Sequence, residues 1–260
     1  MAKKLYEESS IQGIANAIRA KNGSSDTYTV GDMATAIQNI PTGGGDPSFS
    51  DGSGNFTVGR YLKIKELVVP SGFSTIPEEA FKLNSTLESV ILGEGVRLIL
   101  NGAFSVCTNL KTVTFPSGIS LGIIISKEAF SRCTSLVSFD MPNAVTDLGN
   151  SCFSLCENLE QINLSTSLTN LPNSSFANCT KLQTIDIPSG VSSMGAGVLS
   201  NCTSLHTIIS RATTPPTLQA NSLYNVPATC PIYVPAESVE AYKTANNWSA
   251  RADYIQAIPS

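Results

Sequence analysis

Side chains able to do chemistry are scarce in this chain, and their spacing restricts what they could do. There are seven cysteines and a single histidine, His206. Cys107, Cys133, Cys156, Cys179 and Cys202 recur regularly, at a first step of twenty-six positions and then three of twenty-three. Zinc needs ligands that converge as a tetrahedron, and a straight column of equivalent positions does not converge. The regular spacing is also unlike a disulfide framework. A buried column of small thiols, about 5 Å apart, is the expected arrangement. Cys152 and Cys230 lie outside it. His206 follows Leu205 at a position filled elsewhere by Lys111, Glu160 and Gln183, so it reads as a surface residue. Among the acids, Asp140 and Asp186 would fall about 10 Å apart with Asn163 between them. An inverting glycosidase places its carboxyl groups about 6.5–9.5 Å apart. Nothing in the sequence supplies the cleft, or the raised carboxyl pKa, that such chemistry also needs. Gly43-Gly44-Gly45 has no following Lys-Ser or Lys-Thr and so is no phosphate loop. Asp46 and Asp51 lack EF-hand spacing. The expectation is a protein that is not an enzyme, with no metal and no cofactor.

These positions presuppose a repeat. One bulky residue anchors each copy: Phe81, Phe104, Phe130, Phe153, Phe176 and Leu199. Successive anchors are twenty-three positions apart, except for the step of twenty-six from Phe104 to Phe130. Six residues after each anchor stands a leucine: Leu87, Leu110, Leu136, Leu159, Leu182 or Leu205. Five residues before the anchor is Ile76, Ile99, Ile125, Leu148, Leu171 or Met194. Each leucine opens a short alternating stretch, such as Leu110-Lys111-Thr112-Val113-Thr114-Phe115, which reads as a strand with one buried face. Pro116-Ser117-Gly118 and Pro188-Ser189-Gly190 then turn the chain. An earlier, incomplete copy shows at Leu67-Val68-Val69-Pro70-Ser71-Gly72. Strands from successive coils should pair into one parallel sheet, with Phe104, Leu110, Val113 and Phe115 facing a shared interior. The three extra residues of the long step are expected between Ser117 and Lys127, bulging away from the sheet.

On Ala103-Phe104, Cys107, Leu110, Val113 and Phe115, and again on Ala129-Phe130, Cys133, Leu136, Phe139 and Met141, the chain resembles the BspA-like leucine-rich-repeat family of microbial surface proteins. The resemblance covers about residues 62 to 235. It implies an α/β solenoid with a parallel sheet on one side, and a role in adhesion or ligand binding without one shared site. The end of the chain is similar to that family's C-terminal cap. It consists of a last strand at Pro231–Pro235 and a helix over Glu237–Ala245 with Val239 and Tyr242 on one face, and Trp248 belongs to the cover.

The domain reading is a helical docking or oligomerisation module at 1–40, a linker leading into the repeats at 41–60, repeats at 61–210 and a capping region at 211–260. In the module Ile11, Ile14 and Ile18 share one helical face, and Val30, Met33 and Ile37 another, with Thr29 and Asp32 as a capping box. It resembles short N-terminal modules on phage or prophage tail proteins of Gram-positive bacteria. Its apolar faces need the first coil, a second copy, or a particle partner.

Charged residues form only 14% of the chain, with a net charge of -4 and no basic run, which argues against a nucleic acid partner. No stretch approaches 18 apolar residues, so membrane insertion is not expected. The start shows no apolar h-region. The expected location is the cell surface or outside if a signal has been removed, and otherwise synthesis in the cytoplasm followed by assembly into a virion. The candidate recognition surface is the outward strand face carrying Thr112, Thr114, Ser138, Asp140, Gln161, Asn163, Thr184 and Asp186, suited to a protein or glycan ligand. An ordinary solvated sheet needs the same chemistry. Asn55-Phe56-Thr57, Asn84-Ser85-Thr86 and Asn178-Cys179-Thr180 match the glycosylation pattern, but a Ser/Thr/Asn-rich composition produces them readily.

The repeat pattern makes one prediction. Phe104→Ala should lower the unfolding free energy by about 3–5 kcal/mol in a denaturant melt; an unchanged melt would contradict a shared interior.

Overall fold

The computed structural model describes residues 64–69, 73–119 and 121–259, together with the backbone of Thr27–Thr29. Its strands are numbered along the chain. All of the recorded pairings between them are parallel. The front of the coils carries β1 (Thr27–Thr29), β2 (Glu66–Val68), β4 (Ser89–Ile91) and β6 (Thr112–Thr114) in one sheet. A second front sheet holds β8 (Ser138–Asp140), β10 (Gln161–Asn163), β12 (Thr184–Ile187), β14 (Thr207–Ser210), β16 (Ile232–Val234) and β17 (Ile255–Ala257). This is the predicted set of strands, with the expected last strand as β16, extended by β1 and β17. The back was not foreseen as sheet. The residue five before each anchor lies there in β3 (Thr75–Ile76), β5 (Leu98–Ile99), β7 (Ile123–Ile125) and β9 (Val145–Leu148), or in β11 (Asn170–Leu171), β13 (Ser193–Met194) and β15 (Thr217–Leu218). Coils with strands on two sides make the fold a β-solenoid. Its one α-helix among the described residues is α1 (Val239–Thr244), in the cap.

Register locates the long step. Val113 pairs with Val90, one ordinary repeat back, whereas Ile124 pairs with Leu98, one long step back. The extra residues therefore lie between Thr114 and Ile124, in the loop around Gly118 and the exposed Leu121. This agrees with the bulge expected from sequence, and it has a cost. β6 and β8 do not pair, and neither Phe115 nor Val137 makes the coil-to-coil N–H bond that Leu92 (2.9 Å to Thr114) and Lys111 (2.8 Å to Glu88) make. Val113 and Phe115 are consequently half-buried, while Val90 and Ile185 are closed off completely. The back sheet breaks one coil later, between β9 and β11, so the two interruptions are staggered.

Every anchor is buried, and so is the leucine that follows it. Phe81, Phe104, Phe130, Phe153 and Phe176 form a single stacked file with ring centroids 5.3–5.9 Å apart and interplanar angles of 7–16°. Leu199 continues the file, and Phe139 packs edge-on against Phe153 at 4.7 Å.

The turn around each anchor aligns peptide groups with the solenoid axis. The N–H groups of Glu79, Phe81 and Leu83 donate to the carbonyls of Asn101, Ala103 and Ser105 in the next coil at 2.9, 2.7 and 2.9 Å. Gly102, Phe104 and Val106 donate onward to Lys127, Ala129 and Ser131. Each peptide unit thus accepts from one neighbour and donates to the other. Such alternation requires left-handed residues two before and two after the anchor, as at Glu128 and Arg132 (φ 56° and 60°) or Ser151 and Leu155 (57° and 62°). Where asparagine takes the second place the strain is least, and Asn178, Asn201 and Asn225 link their amides in a ladder at 2.9 and 2.8 Å.

The C-terminal cap follows its expected outline. Tyr242 and Trp248 are fully buried and meet edge to face at 5.2 Å. Trp248 Nε1–H donates to the Pro216 carbonyl at 2.8 Å, and the Tyr242 hydroxyl to that of Ala212 at 2.9 Å. The helix is shorter than expected, with a 3-10 turn (Ala236–Ser238) ahead of α1. A second 3-10 segment, Ser249–Tyr254, leads into β17. At the other end β1, a strand not foreseen in the sequence, pairs with β2, Tyr28 opposite Leu67. The docking residues Ile11, Ile14, Ile18, Val30, Met33 and Ile37 lie outside the described residues.

Gly149 sits where a side chain has no room: a Cβ would lie 2.2 Å from the Lys127 nitrogen and 2.4 Å from the Ser126 carbonyl carbon. At Gly122 the nearest contact would be an ordinary 3.4 Å to the Thr146 side chain. Gly149→Ala should therefore cost about 1–3 kcal/mol, and Gly122→Ala no more than about 0.5 kcal/mol. Paired thermal melts check this ordering.

Candidate recognition surface

Alternation along the front strands decides which side chains face out. Phe139, Ile162 and Ile185 point inward and are buried, so Ser138, Asp140, Gln161 and Asn163 stand exposed, and Thr184 and Asp186 half-exposed. Register aligns them in two columns: Ser138, Gln161 and Thr184 in one, Asp140, Asn163 and Asp186 in the other. Thr112 and Thr114 are exposed as well, but on β6, across the sheet break. The eight residues expected to act as one surface thus divide into six and two.

The columns differ in chemistry. In the second, Asn163 donates from its amide to Asp140, and Arg211 clasps Asp186 with both Nε (2.7 Å) and Nη2 (2.6 Å). Both carboxylates are held in hydrogen bonds on an open face, which gives neither the sheltered setting of a general acid. In the first column, Ser138, Gln161 and Thr184 make no side-chain hydrogen bond among the described residues, and nor do Thr112 and Thr114. Their donors and acceptors stay open to a partner. Along the first front sheet, beside β2, β4 and β6, runs a charged file, Lys65–Glu88–Lys111, in which Glu88 meets the two lysines at 3.8 and 2.6 Å. Lys111 holds the Glu88 carboxyl below its usual range. Sequence reasoning missed Arg211, which sits just past β14 and was not tied to Asp186. It also missed that the second column becomes apolar at both ends, with Val68 and the exposed Ile91 at one and Ile209 and Tyr233 at the other. Continuing the repeat register outward would have found these.

The cysteines occupy the interior. The thiols of Cys107, Cys133, Cys156, Cys179 and Cys202 donate to the carbonyls of Phe81, Phe104, Phe130, Phe153 and Phe176 at 3.1–3.2 Å, each reaching one coil back. All seven cysteines are unpaired and buried. Burial pushes Cys107, Cys156 and Cys202 up to about 12, and Cys133 and Cys179 well above the ordinary thiol value of 9.0. Among the described residues no group of His, Cys, Asp and Glu could hold a metal ion, and no helix is long and apolar enough to cross a membrane. His206 is on the surface, with Nδ1 3.1 Å from the Thr207 hydroxyl. Asn84 is 1% exposed and its Oδ1 accepts from Thr86 and Leu87, so it is closed to glycosylation in the fold.

Comparison with known proteins gives one family. A model of the BspA type leucine rich repeat region matches residues 53–122 and 121–228 in six copies. Among solved structures, a leucine-rich-repeat protein of T. pallidum is 30% identical with a TM-score of 0.49, over 55% of this chain and 65% of that one. One from Bacteroides ovatus is 23% identical with a TM-score of 0.47, over 66% and 55%. A leucine rich cell surface protein from Faecalibacterium prausnitzii is 19% identical with a TM-score of 0.36, over 81% and 79%. The chain thus spans less than two thirds of the length of the first two. No curated protein matches it. These matches give no support to a tail-protein relationship for the first forty residues.

The buried thiols set a pH dependence. Their folded pKa values lie above 9.0, so their stabilising effect is complete below pH 9 and lost as pH rises towards 12. Above pH 9 the unfolding free energy should fall by about 1.4 kcal/mol per pH unit for each such thiol. Denaturant titrations at stepped pH measure the slope, and a flat profile to pH 11 would contradict it.

Proposed function

Because this chain belongs to the BspA-type leucine-rich-repeat family, we propose that it is a non-enzymatic, adhesin-like recognition protein that binds a protein or glycan on the outer face of β8, β10 and β12. The observation carrying this reading is the column Ser138–Gln161–Thr184: hydroxyls and an amide, rigidly spaced by the sheet and unspent on neighbours. A solvated surface needs polar groups but not a fixed array of free ones. In the parallel column Arg211 offsets the charge of Asp186 and the Asn163 amide hydrogen-bonds Asp140, so one carboxylate charge remains in the two columns. Neutral hydrogen bonding then dominates over charge steering. A polypeptide fits better than a sugar chain here, because the centre of the face carries no exposed aromatic ring while Ile209 and Tyr233 offer apolar ground at its end. On this reading the solenoid works outside the cell, where such ligands are met.

The full chain, screened against immobilised surface and matrix proteins and a glycan array, should bind a protein partner. The double variant Ser138→Lys with Gln161→Lys should weaken that binding at least tenfold at unchanged melting temperature. Thr75→Lys, on the back of the coils, should leave it intact. Equal binding by all three proteins would overturn the assignment to this face, and protease accessibility on intact source cells tests the location.

A further inference from the structure

A cleft lies away from the outer face, lined by residues of the last coil and of the cap. It is an open cleft of about 220 Å³. Leu218, Gln219, Asn221, Leu223 and Tyr224 line it from the last coil, and Asn247 and Arg251 from the cap.

Both sides are fixed. The Tyr224 N–H donates to the Asn221 carbonyl at 3.1 Å, and its carbonyl accepts from Asn201 at 2.8 Å. Asn247 donates Nδ2–H to the Leu218 carbonyl at 2.6 Å. Arg251 donates to the carbonyls of Pro227, Val226 and Leu223 at 2.8, 2.9 and 3.2 Å. Those bonds leave its Nε–H unused, and it forms no ion pair with any carboxylate among the described residues. A guanidinium lining a cleft without a counter-charge attracts an anion, and its Nε–H can donate one hydrogen bond to a carboxylate. Tyr224 is 56% exposed, one of the most exposed large apolar side chains described. Among the described residues the side-chain amides of Gln219 and Asn221 make no hydrogen bond, and Asn247 keeps its oxygen free.

The volume is below the ~300 Å³ at which drug-sized pockets begin, so one ring fits and an extended chain does not. A flat aromatic face, free amides and one guanidinium together recognise a ring with an apolar face, several hydroxyls and one acid group. We propose that this cleft binds a single carboxylated pyranose, as a free sugar or the end of a glycan, with a ring face on Tyr224, hydroxyls on the Gln219 and Asn221 amides, and the carboxylate towards Arg251. This site is independent of the outer face.

Saturation-transfer NMR on the full chain tests it with four probes: glucuronic acid, N-acetylneuraminic acid, glucose and N-acetylglucosamine. Transfer to the ring protons of at least one acid should exceed that to both neutral sugars. It should drop at least fivefold in Tyr224→Ala and in Gln219→Ala, both surface changes that leave the buried Trp248 fluorescence unaltered. Gln161→Ala, on the outer face, should not affect it, which keeps the two sites distinguishable. Transfer to neither acid, equal transfer to the neutral sugars, or signals that persist in Tyr224→Ala would each overturn the proposal.

Discussion

One coil of this chain cannot close its own interior. A single turn of the repeat is one layer of backbone, and its apolar side chains are wet on both faces until a neighbour covers them. The phenylalanine file is where that cover is most specific. Each ring lies nearly parallel to the next at 5.3–5.9 Å, so every coil presents the surface the following coil requires. Stability is therefore a property of interfaces between coils, and the two ends must be sealed. Tyr242 and Trp248 seal one end by placing two large rings, with their polar atoms bonded to carbonyls of the last coils, over the interior.

Stacking also explains residue choices that would otherwise look arbitrary. Turning peptide units along the axis puts non-glycine residues at positive φ, at a cost of about 1–2 kcal/mol each. The coil-to-coil bonds offset this, because the alternative is a buried N–H or C=O with no partner. The anchor carbonyl is the awkward group, since it points into the interior. A cysteine one coil on provides a donor small enough for the space, and its raised pKa ensures that the proton is present. Past the end of the cysteine column, at the turn around Leu223, the Arg251 guanidinium donates to the Leu223 carbonyl from the cap, alongside the Val226 N–H. A long, charged side chain replaces a thiol only where the solenoid has ended and solvent is near.

What could be read from sequence was what repeats. The anchors, the leucines, the cysteine column and the inward residues of the front strands follow from one period, and they stand where that period puts them. Trp248 was legible because a terminal coil must be covered. The back strands were not, since pairs such as Thr75–Ile76 and Ser193–Met194 are too short to show alternation. The split in the front sheet was hidden for a related reason. Sequence located the three extra residues between Ser117 and Lys127, but not that the resulting loop would prise β6 from β8. Arg211 and Arg251 reach partners more than a full repeat away and outside the repeat pattern, so no period could point to them.

Because coil-to-coil cohesion is carried by backbone bonds and inward side chains, outward positions contribute little to it. Their chemistry is then free to vary along the solenoid without endangering the fold. The two outer columns show that freedom used in opposite ways. In one, Asp140 and Asp186 are each matched by a neighbouring side chain, an amide that hydrogen-bonds the first and a guanidinium that offsets the charge of the second. In the other, the side chains from Ser138 to Thr184 are left unmatched, although the same neighbours lie one strand spacing away. A surface selected for stability alone would pair both columns, since each unmade bond between ordered side chains forgoes a fraction of a kcal/mol. Leaving one column open on a rigid frame lowers the entropic cost of ordering it against a partner.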